Sequence, residues 1–515
     1  MKLLTPIAFF FLMFSLFFTG CKKEKLEEKA KEPSNVPTGS TDDTENSDGT
    51  DEKEENDSPT DALKLFQRLT NGVLQGEKEI DVREFNISSD RADSLYNCFI
   101  RNNPLLFHLK VSGNIGYRVD LQHPEYLATF IPQYAVLPAI IHDIYPAMEE
   151  AIETFYMELD YRMTPAEIAY TLYQKLCKEI IYGERNEEYP NLAYSSFSAL
   201  GAFITHKAVC QGYSLSLSLL LNGLGIQTEY VTGPIPGTSG HAWNRIYIDG
   251  NWYNADATFD DASSYNLTTI SSINKYFLCS DELFYTTFEH AKPYLNLQEQ
   301  IYTTSGNKFD SEKCVIRRFD TQGEIIKTEA IYANGYWYYL STKNKKMKII
   351  KSDFNGQHIK ELRQQNIAST IGNVDKVQYT KDRIFFLDII DGKYNICSID
   401  YDGNDFRQEK RISFIEASST ELKLSQDKSL PVHDFRGIVA LKSELMLAKL
   451  RLLYFHGDDD YFHLSQPQAQ VLENSIKDIE IMLKNQHIDD TQANILAKEI
   501  KSKRKAYNLP ISVKR

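Results

Sequence analysis

The sequence predicts an α+β protein whose central unit is one buried helix packed on an antiparallel sheet. The helix is indicated by the run from Cys210 to Gly225, whose small and apolar residues extend too far for a strand. The sheet is indicated by the three segments that follow, IQTEYVTG, HAWNRIYI and NWYNADATF. The length of 515 residues and the hydrophobic share of 42% allow further units on either side.

The first 20 residues have one lysine and then an apolar run that stops at Cys21, which is typical of a secretion signal. The sequence FTGC resembles the lipobox of bacterial lipoproteins, in which the cysteine is lipidated and becomes the mature N-terminus. An uncleaved membrane anchor is the alternative, although the run is short for a spanning helix. Both interpretations predict an extracytoplasmic chain, and the lipobox implies a lipid anchor in the cell envelope.

Residues 21–60 are predicted to be a disordered tether, because they are charged and poor in hydrophobic residues. Between Asp42 and Asp57 there are nine acidic residues and one lysine, a balance of −8 within a chain of net charge −14. The acidity is therefore mostly a property of this tether. It gives no support to nucleic-acid binding, which would require a basic face.

The seven cysteines stand singly, with no CxxC pair and no metal-ligand spacing, so the sequence predicts neither a metal nor another cofactor. If Cys21 is lipidated and Cys210 is reactive, five remain, and an odd set cannot be fully paired. Cys177 and Cys279 lie in apolar surroundings and are predicted to be core thiols. A disulfide framework is therefore not expected.

Residues 61–163 show mixed helix and strand patterns and are predicted to form an N-terminal α+β region. The sequence from Thr164 to Glu167 is then a capping box with proline at the first helical position. It predicts a helix that runs to about Tyr182. This helix opens the central unit, predicted over residues 164–300.

The dipeptide Asp249-Gly250, between the second and third strand segments, is a strong hairpin signal. If these two residues form the loop, Ile248 pairs with Asn251. The pairing then puts His241 and Asp256 on the same face as diagonal neighbours, roughly 7–8 Å apart at the backbone. At that separation the two side chains are predicted to reach a hydrogen bond.

Cys210, His241 and Asp256 together supply a nucleophile, a base and an orienting carboxylate. A thiol with an ordinary pKa is only a few per cent thiolate at neutral pH, so it needs a base. A histidine can take its proton, and a carboxylate on the other ring nitrogen stabilises the imidazolium. At a helix N-terminus the thiol would also lie near unpaired N–H groups, which lower its pKa and help to hold an oxyanion.

The motifs VCQGYS around Cys210, HAWN at His241 and DAT at Asp256 resemble the transglutaminase-like superfamily, a papain-related group of cysteine enzymes. The resemblance runs from the helix near Thr164 to NKYFLCSDELFYTTFEH, which is similar to the trailing part of bacterial members. It implies a papain-like core with Cys210 as nucleophile, His241 as general base and then acid, and Asp256 as orienting residue. Tyr194 is a candidate for the second oxyanion donor. No segment resembles the calcium sites of the animal enzymes.

The resemblance implies acyl transfer through a thioester at Cys210, formed on a protein carboxamide or peptide carbonyl and resolved by an amine or by water. A protein or peptide is then the substrate. One alternative is a cysteine peptidase or amidase that acts on surface or wall peptides. The other is a non-catalytic surface lipoprotein, a scaffold whose flanking modules bind a cell-wall or surface partner.

Residues 305–415 are predicted to form a β-rich repeat module. The strands that start at Tyr336 and Arg383 are related by a shift of 47 residues, and Asp353–Gly356 matches Asp400–Gly403. This period is typical of propeller blades, but two or three copies are too few to close a ring. Three aspartates within 400–405 could indicate a metal loop, although hairpin turns explain them better.

Residues 435–515 have a helical period in three segments joined by short loops, which predicts a small helical bundle. The pattern weakly resembles helical modules of bacterial cell-surface proteins.

Overall fold

A computed structural model of the chain describes residues 59–101, 103–110, 116–184, 190–235, 240–261, 274–287, 290, 306–311, 314–317, 324–326, 330–343, 346–366, 377–419, 422–429, 431, 433–454, 466–485 and 488–505. The predicted signal segment, Cys21 and most of the predicted tether lie outside these residues. Within the described part of the chain, no helix combines the length and the apolar character that crossing a bilayer requires.

The described residues divide into two compact units, those within 1–92 and 117–131 and those within 93–116 and 132–515. The smaller unit contains helix α1 (Pro59–Leu74) and a three-stranded sheet in the order β1–β3–β2. Its strands are β1 (Ile80–Asp81), β2 (Gly116–Val119) and β3 (Leu127–Ile131). Leu69 and Val73, one turn apart on α1, are fully buried, so this helix presents an apolar face to a core.

The first half of the larger unit supplies the elements around the predicted site. Its helices are α2 (Ala92–Arg101, which starts at the last residue of the smaller unit), α3 (Ile141–Tyr156), α4 (Pro165–Glu179) and α5 (Cys210–Gly223). Its strands are β4 (Ile181–Tyr182), β5 (Lys207–Ala208), β6 (Thr228–Gly233), β7 (His241–Ile248) and β8 (Asn251–Ala255). The mixed α and β content and the antiparallel sheet β6–β7–β8 agree with the predicted fold class.

The capping box at the start of α4 is confirmed. The backbone N–H of Thr164 donates to the Glu167 carboxylate at 2.9 Å, and the Thr164 hydroxyl accepts from the Glu167 N–H at 3.4 Å. The helix ends at Glu179, before the predicted Tyr182. The reason is a competing pairing, because the next residues form β4 and pair in parallel with β5.

Helix α5 packs on β6 and β7 and buries almost its whole length. The predicted helix is therefore confirmed, and its serines are buried as well as its leucines because it is covered on almost all sides. Gly212 allows part of this burial. A Cβ atom there would lie 2.4 Å from the Ser196 carbonyl oxygen, so the glycine of the CQG motif is required by close packing.

The predicted hairpin between β7 and β8 is also confirmed. Asp249 and Gly250 form the loop with φ of 51° and 82°, the left-handed values of a two-residue hairpin turn, and Ile248 pairs with Asn251. The ladder ends with the pairing of Asn244 and Ala255, so β8 is shorter than the predicted strand.

The repeat module contains two antiparallel sheets whose strands follow the predicted shift. The first sheet has the order β10–β11–β12–β13, with β9 paired to β11, and the second has the order β14–β15–β16–β17. Their strands are β9 (Glu324–Ile326), β10 (Ile331–Ala333), β11 (Tyr336–Lys343), β12 (Lys346–Ser352), β13 (Lys360–Asn366), β14 (Val377–Tyr379), β15 (Arg383–Ile390), β16 (Lys393–Asp400) and β17 (Arg407–Ile412).

Each of the last three strands of the first sheet starts 47 residues before its counterpart in the second sheet. The irregularity in register at Ile349/Ile350 is likewise 47 residues before the one at Ile396/Cys397. Both sheets share one apolar core, which explains why the alternating pattern is kept in both copies. The Gly403 N–H donates to the Asp400 carbonyl at 3.1 Å, so the predicted D-x-x-G turn is confirmed as a hairpin turn.

A short helix α6 (Phe414–Ser418) precedes the three C-terminal helices α7 (Gly437–Leu453), α8 (Gln466–Lys484) and α9 (Asp490–Lys505), all three of which were predicted. Helix α7 is almost entirely buried because α3, α8 and α9 pack around it. The bundle thus includes a helix from the predicted N-terminal region. The module boundaries at 163, 300 and 435 stay predictions.

Candidate active site

Cys210 is the first residue of α5. Val209 occupies the N-cap in an extended conformation, and it gives the helix no side-chain cap. The N–H groups of the first helical turn therefore lie beside the thiol without a capping side chain, at the positive end of the helix dipole. The Gln211 side-chain oxygen lies 3.2 Å from Sγ. This placement suits a thiolate and an oxyanion.

Asn244, of the HAWN motif, fixes the distance between the helix that carries Cys210 and the strand that carries His241. Its side-chain amide donates to the Ser214 carbonyl and to the Ser218 hydroxyl, both at 2.9 Å and both on α5. Asn244 is buried, so these bonds are made away from water, where an unmade bond is costly. The local sequence thus positions two elements of the site against each other.

His241, the first residue of β7, joins the other two predicted residues. Its Nε2 lies 2.5 Å from Asp256 Oδ2, and the Cys210 thiol is close enough to the ring to raise the pKa of His241 together with Asp256. Burial opposes the charged ring, but the charge and hydrogen bond of Asp256 outweigh it and raise the pKa of His241 to about 10. The geometry therefore favours an imidazolium between a carboxylate and a thiol.

The Asp256 carboxylate is held on both oxygens. Oδ1 accepts the backbone N–H groups of Thr258 at 3.0 Å and Phe259 at 3.3 Å, and this turn ends β8 before the predicted position. Burial would raise the pKa of Asp256, but His241 and His290 hold it well below its ordinary range. The carboxylate is consequently charged and fixed.

His290 is a fourth residue of the site that the sequence reasoning missed. Its Nε2 lies 2.8 Å from the same Asp256 Oδ2 that His241 contacts, and the ring is buried. Three aromatic rings surround it, with centroids 4.5 Å away for Phe259 and Tyr276 and 4.6 Å for Phe284. It belongs to the trailing segment singled out from the sequence.

The trailing segment reaches the site because it pairs with β8, the edge strand of the sheet. Asn254 and Cys279 exchange two backbone hydrogen bonds of 2.8 and 2.9 Å, and the Asp256 N–H donates to the Tyr276 carbonyl at 3.0 Å. The isolated bridge at Asn254 thus acts as a fourth, very short strand. The sequence signal for His290 was its position as a single histidine at the end of an aromatic-rich segment. The spacing along the chain did not indicate that Asp256 is its hydrogen-bond partner.

Trp243 lies in the interior beside the site. It is fully buried, its ring centroid lies 6.2 Å from that of His241, and its indole N–H donates to Asn254 Oδ1 at 3.3 Å. Asn254 in turn donates to Asp281 at 2.8 Å. Trp243 therefore supports the His241 ring from the core.

Asp260 is a second buried carboxylate close to the site that was not predicted. Its Oδ2 accepts from the Tyr173 hydroxyl at 2.7 Å and from the Tyr276 N–H at 3.0 Å, whereas its Oδ1 is buried without a hydrogen-bond partner. Burial raises the pKa of Asp260 to about 8, against the lowering effect of these two bonds. The neutral acid is the favoured form at neutral pH.

The other cysteines near the site lack this environment. Cys177 and Cys279 are core thiols, as predicted, and burial raises the pKa of Cys279 to about 12 and that of Cys177 well above its ordinary value. Among the residues that the structure describes, none of the six cysteines is in a disulfide. These two thiols are therefore unreactive at neutral pH.

Tyr194, the candidate oxyanion donor, lies one residue before the short helical turn Ser195–Phe197, whose Ser196 packs against α5 at Gly212. Its ring is half-exposed and lies 5.2 Å from the Lys110 ammonium. The predicted role in an oxyanion hole stays a prediction.

Two ring nitrogens and one carboxylate oxygen, from His241, His290 and Asp256, lie within 4.8 Å of one another, a spacing that a metal ion could bridge. Both nitrogens already lie within hydrogen-bonding distance of that oxygen. Hydrogen bonding therefore accounts for the arrangement without a metal.

The part of the chain that contains the candidate site is similar to known proteins. Residues 158–257 match the model of the transglutaminase-like superfamily, which confirms the resemblance predicted from the sequence. The match contains Cys210, His241 and Asp256 and ends before His290. The fold of the superfamily is one that supports cysteine-based acyl transfer.

One solved structure similar to the chain is described as the crystal structure of a TGase. The two are 20% identical over 24% of this chain and 32% of that one, with a TM-score of 0.19. The chain thus spans about a third of the length of that protein. No curated protein matches the chain.

Proposed function

We propose that the chain is an extracytoplasmic, lipid-anchored cysteine enzyme that transfers an acyl group from a protein carboxamide or peptide carbonyl. Cys210 is the nucleophile, His241 the general base and acid, and Asp256 the residue that orients His241. The observation that carries the proposal is the His241 ring, whose Nε2 lies 2.5 Å from Asp256 Oδ2 and whose pKa is raised by the neighbouring Cys210 thiol as well as by Asp256.

In the proposed reaction the Cys210 thiolate attacks the carbonyl carbon, and the first-turn N–H groups of α5 stabilise the oxyanion. The His241 imidazolium gives its proton to the departing nitrogen, which leaves as ammonia or an amine, and a thioester remains. A second amine or a water molecule then attacks the thioester after His241 removes its proton. An amine gives a new amide, and water gives the free acid.

Alkylation by iodoacetamide tests the nucleophile. In the full-length chain, Cys210 is expected to be alkylated near neutral pH faster than Cys98, although the Cys98 thiol is the more exposed of the two. The variant His241→Ala should remove this preference. Equal or slower labelling of Cys210 in the wild-type chain would show that the thiol is not activated and would favour the scaffold alternative.

Product analysis separates transfer from hydrolysis. The full-length chain is incubated with glutamine-containing peptides and a tagged primary amine, and Cys210→Ala is the control. Incorporation of the tag with loss of ammonia supports acyl transfer. Release of ammonia without the tag, or cleavage of the peptide backbone, supports the amidase or peptidase alternative instead.

The proposed location is the cell envelope, with the lipid on Cys21 as the membrane anchor and a surface or wall protein as partner. Metabolic labelling with an alkyne-tagged fatty acid in a bacterial host tests the anchor. Wild-type chain should incorporate the label, and Cys21→Ser should not. Failure of the wild-type chain to be labelled would leave the uncleaved N-terminal anchor as the better interpretation.

A further inference from the structure

His290 shares the Asp256 carboxylate with His241, yet the reaction proposed above gives it no part. We infer that His290 is a positioning residue, which donates to Asp256 so that this carboxylate holds the His241 ring toward Cys210. The inference deepens the proposed function and rests on it. The site is then a constellation of four residues, Cys210, His241, Asp256 and His290.

The first support is the shared acceptor atom. Both Nε2 atoms reach Oδ2 of Asp256, at 2.5 Å from His241 and 2.8 Å from His290. The two rings are nearly perpendicular, with an interplanar angle of 78° and centroids 5.7 Å apart, so they approach the oxygen from different directions. With the backbone N–H groups of Thr258 and Phe259 on Oδ1, the carboxylate cannot rotate without losing a bond.

The second support is the way in which His290 itself is held. The rings of Phe259, Tyr276 and Phe284 enclose it, and its backbone N–H donates to the Phe284 carbonyl at 3.1 Å. Such an enclosure would accept any apolar side chain of similar size. What an apolar side chain cannot supply is the N–H directed at Asp256, and that is the property to test.

The expected consequence is electrostatic as well as geometric. A second donor on Oδ2 withdraws negative charge from that oxygen, so Asp256 orients His241 without binding its proton too tightly for later release to a leaving group. The charged and titratable groups that contact the His241 ring are Asp256 and the Cys210 thiol, and His290 acts on it through Asp256. His290 touches no reacting atom in this scheme.

The test compares two variants of similar side-chain volume in the full-length chain, His290→Leu, which fills the enclosure without a donor, and His290→Gln, which keeps a donor. The matched control is His108→Leu, which removes another buried histidine, bonded to the Tyr454 hydroxyl at 2.9 Å. The measurements are the rate of Cys210 alkylation by iodoacetamide, the melting temperature, and the low-field proton resonance of the His241 ring N–H.

His290→Leu is expected to slow alkylation of Cys210 by about tenfold, the range typical of partners that orient a functional group. His290→Gln should keep most of the rate, and His108→Leu should lower the melting temperature without slowing alkylation. Equal rates in all variants would reduce His290 to a core residue, and equal losses in the Leu and Gln variants would assign the effect to packing. Either result overturns the inference.

The enzyme function proposed above and the positioning role of His290 can be disproved independently of each other. If Cys210 is not activated in the wild-type chain, the His241 resonance still tests the positioning. A shift in His290→Leu that is absent in His290→Gln then supports it, and an unchanged resonance in both variants contradicts it.

Discussion

The side-chain amide of Asn244 donates to the backbone carbonyl of Ser214 at 2.9 Å, and this bond ties the strand that starts at His241 to the helix that starts at Cys210. The two residues of the proposed reaction therefore depend on a third that touches neither substrate nor thiol. A second asparagine joins the other end of the same helix to the sheet. Asn222 exchanges hydrogen bonds of 2.8 and 2.9 Å with the Thr228 backbone.

These two asparagines give a matched pair of variants. Asn244→Ala and Asn222→Ala should each lower the free energy of unfolding by about 1–3 kcal/mol, because each leaves buried polar groups without partners. Only Asn244→Ala should also slow the alkylation of Cys210, since only this bond sets the spacing between Cys210 and His241. Urea denaturation and alkylation rates measure the two effects. Equal alkylation rates in both variants would contradict a role for Asn244 in alignment.

Asp256→Asn is expected to reduce the alkylation of Cys210 and any turnover by up to about 10⁴-fold, because a neutral amide does not stabilise the imidazolium or fix its tautomer. The variant should also be less stable at neutral pH by about 3–5 kcal/mol, the usual cost of breaking a buried charged pair. The control is Asp249→Asn, on the exposed hairpin loop with Lys308, which should cost less than about 1 kcal/mol.

The stability difference between wild type and Asp256→Asn should depend on pH. The pKa of Asp256 is lowered in the folded chain, so its contribution is present above the ordinary carboxylate pKa and disappears as pH falls through the folded value. Unfolding curves at a series of acidic pH values measure this. A difference that stays constant as the pH falls would show that the Asp256 charge does not stabilise the fold.

The sequence could predict that Cys210, His241 and Asp256 lie together because each stands in a local context that fixes its place. A two-residue turn sets the register of its hairpin, and His241 and Asp256, just beyond the end of that ladder, make the predicted hydrogen bond. The apolar run after Cys210 was long enough to require a helix. Short-range sequence patterns were therefore sufficient to predict the helix, the hairpin, and the contact between His241 and Asp256.

His290 and Asp260 could not be found in this way. His290 contacts Asp256 across 34 residues of sequence, and Asp260 contacts Tyr173 across 87 residues. The contact of His290 also depends on the trailing segment, which pairs with the edge of β8. No periodicity or turn signal fixes such a pairing. The same limit explains the end of α4 at Glu179, because the competing strand forms only when β5 lies beside it.

Asp260 predicts a second and opposite pH dependence. Burial raises its pKa to about 8, so the folded chain binds this proton more tightly than the unfolded chain does. The free energy of unfolding should therefore fall as pH rises from about 4 to about 8, with a slope that approaches about 1.4 kcal/mol per pH unit. Asp260→Asn should remove this slope. Denaturation of both proteins across that range measures it, and parallel curves would contradict the assignment.

The last prediction concerns the buried ion pairs that join α3, α7 and α9. Arg504 is almost completely buried and contacts the carboxylates of Glu149 and Glu444, the latter at 2.8 Å. Arg504→Met should lower the free energy of unfolding by about 3–5 kcal/mol, because it leaves two buried carboxylates without that partner. The matched control is Lys503→Met on the same helix, whose more exposed ammonium pairs with Glu499 at 2.6 Å and should contribute less than about 1 kcal/mol.

Urea denaturation of the two variants separates a buried network from surface pairing. If Arg504→Met is no less stable than Lys503→Met, the buried charges of Arg504 and its partners make no net contribution to the stability of these helices. If it is much less stable, the C-terminal helices depend on a buried charge network that includes a carboxylate of α3, Glu149. Their folding is then coupled to a helix of the predicted N-terminal region, and they are not an independent module.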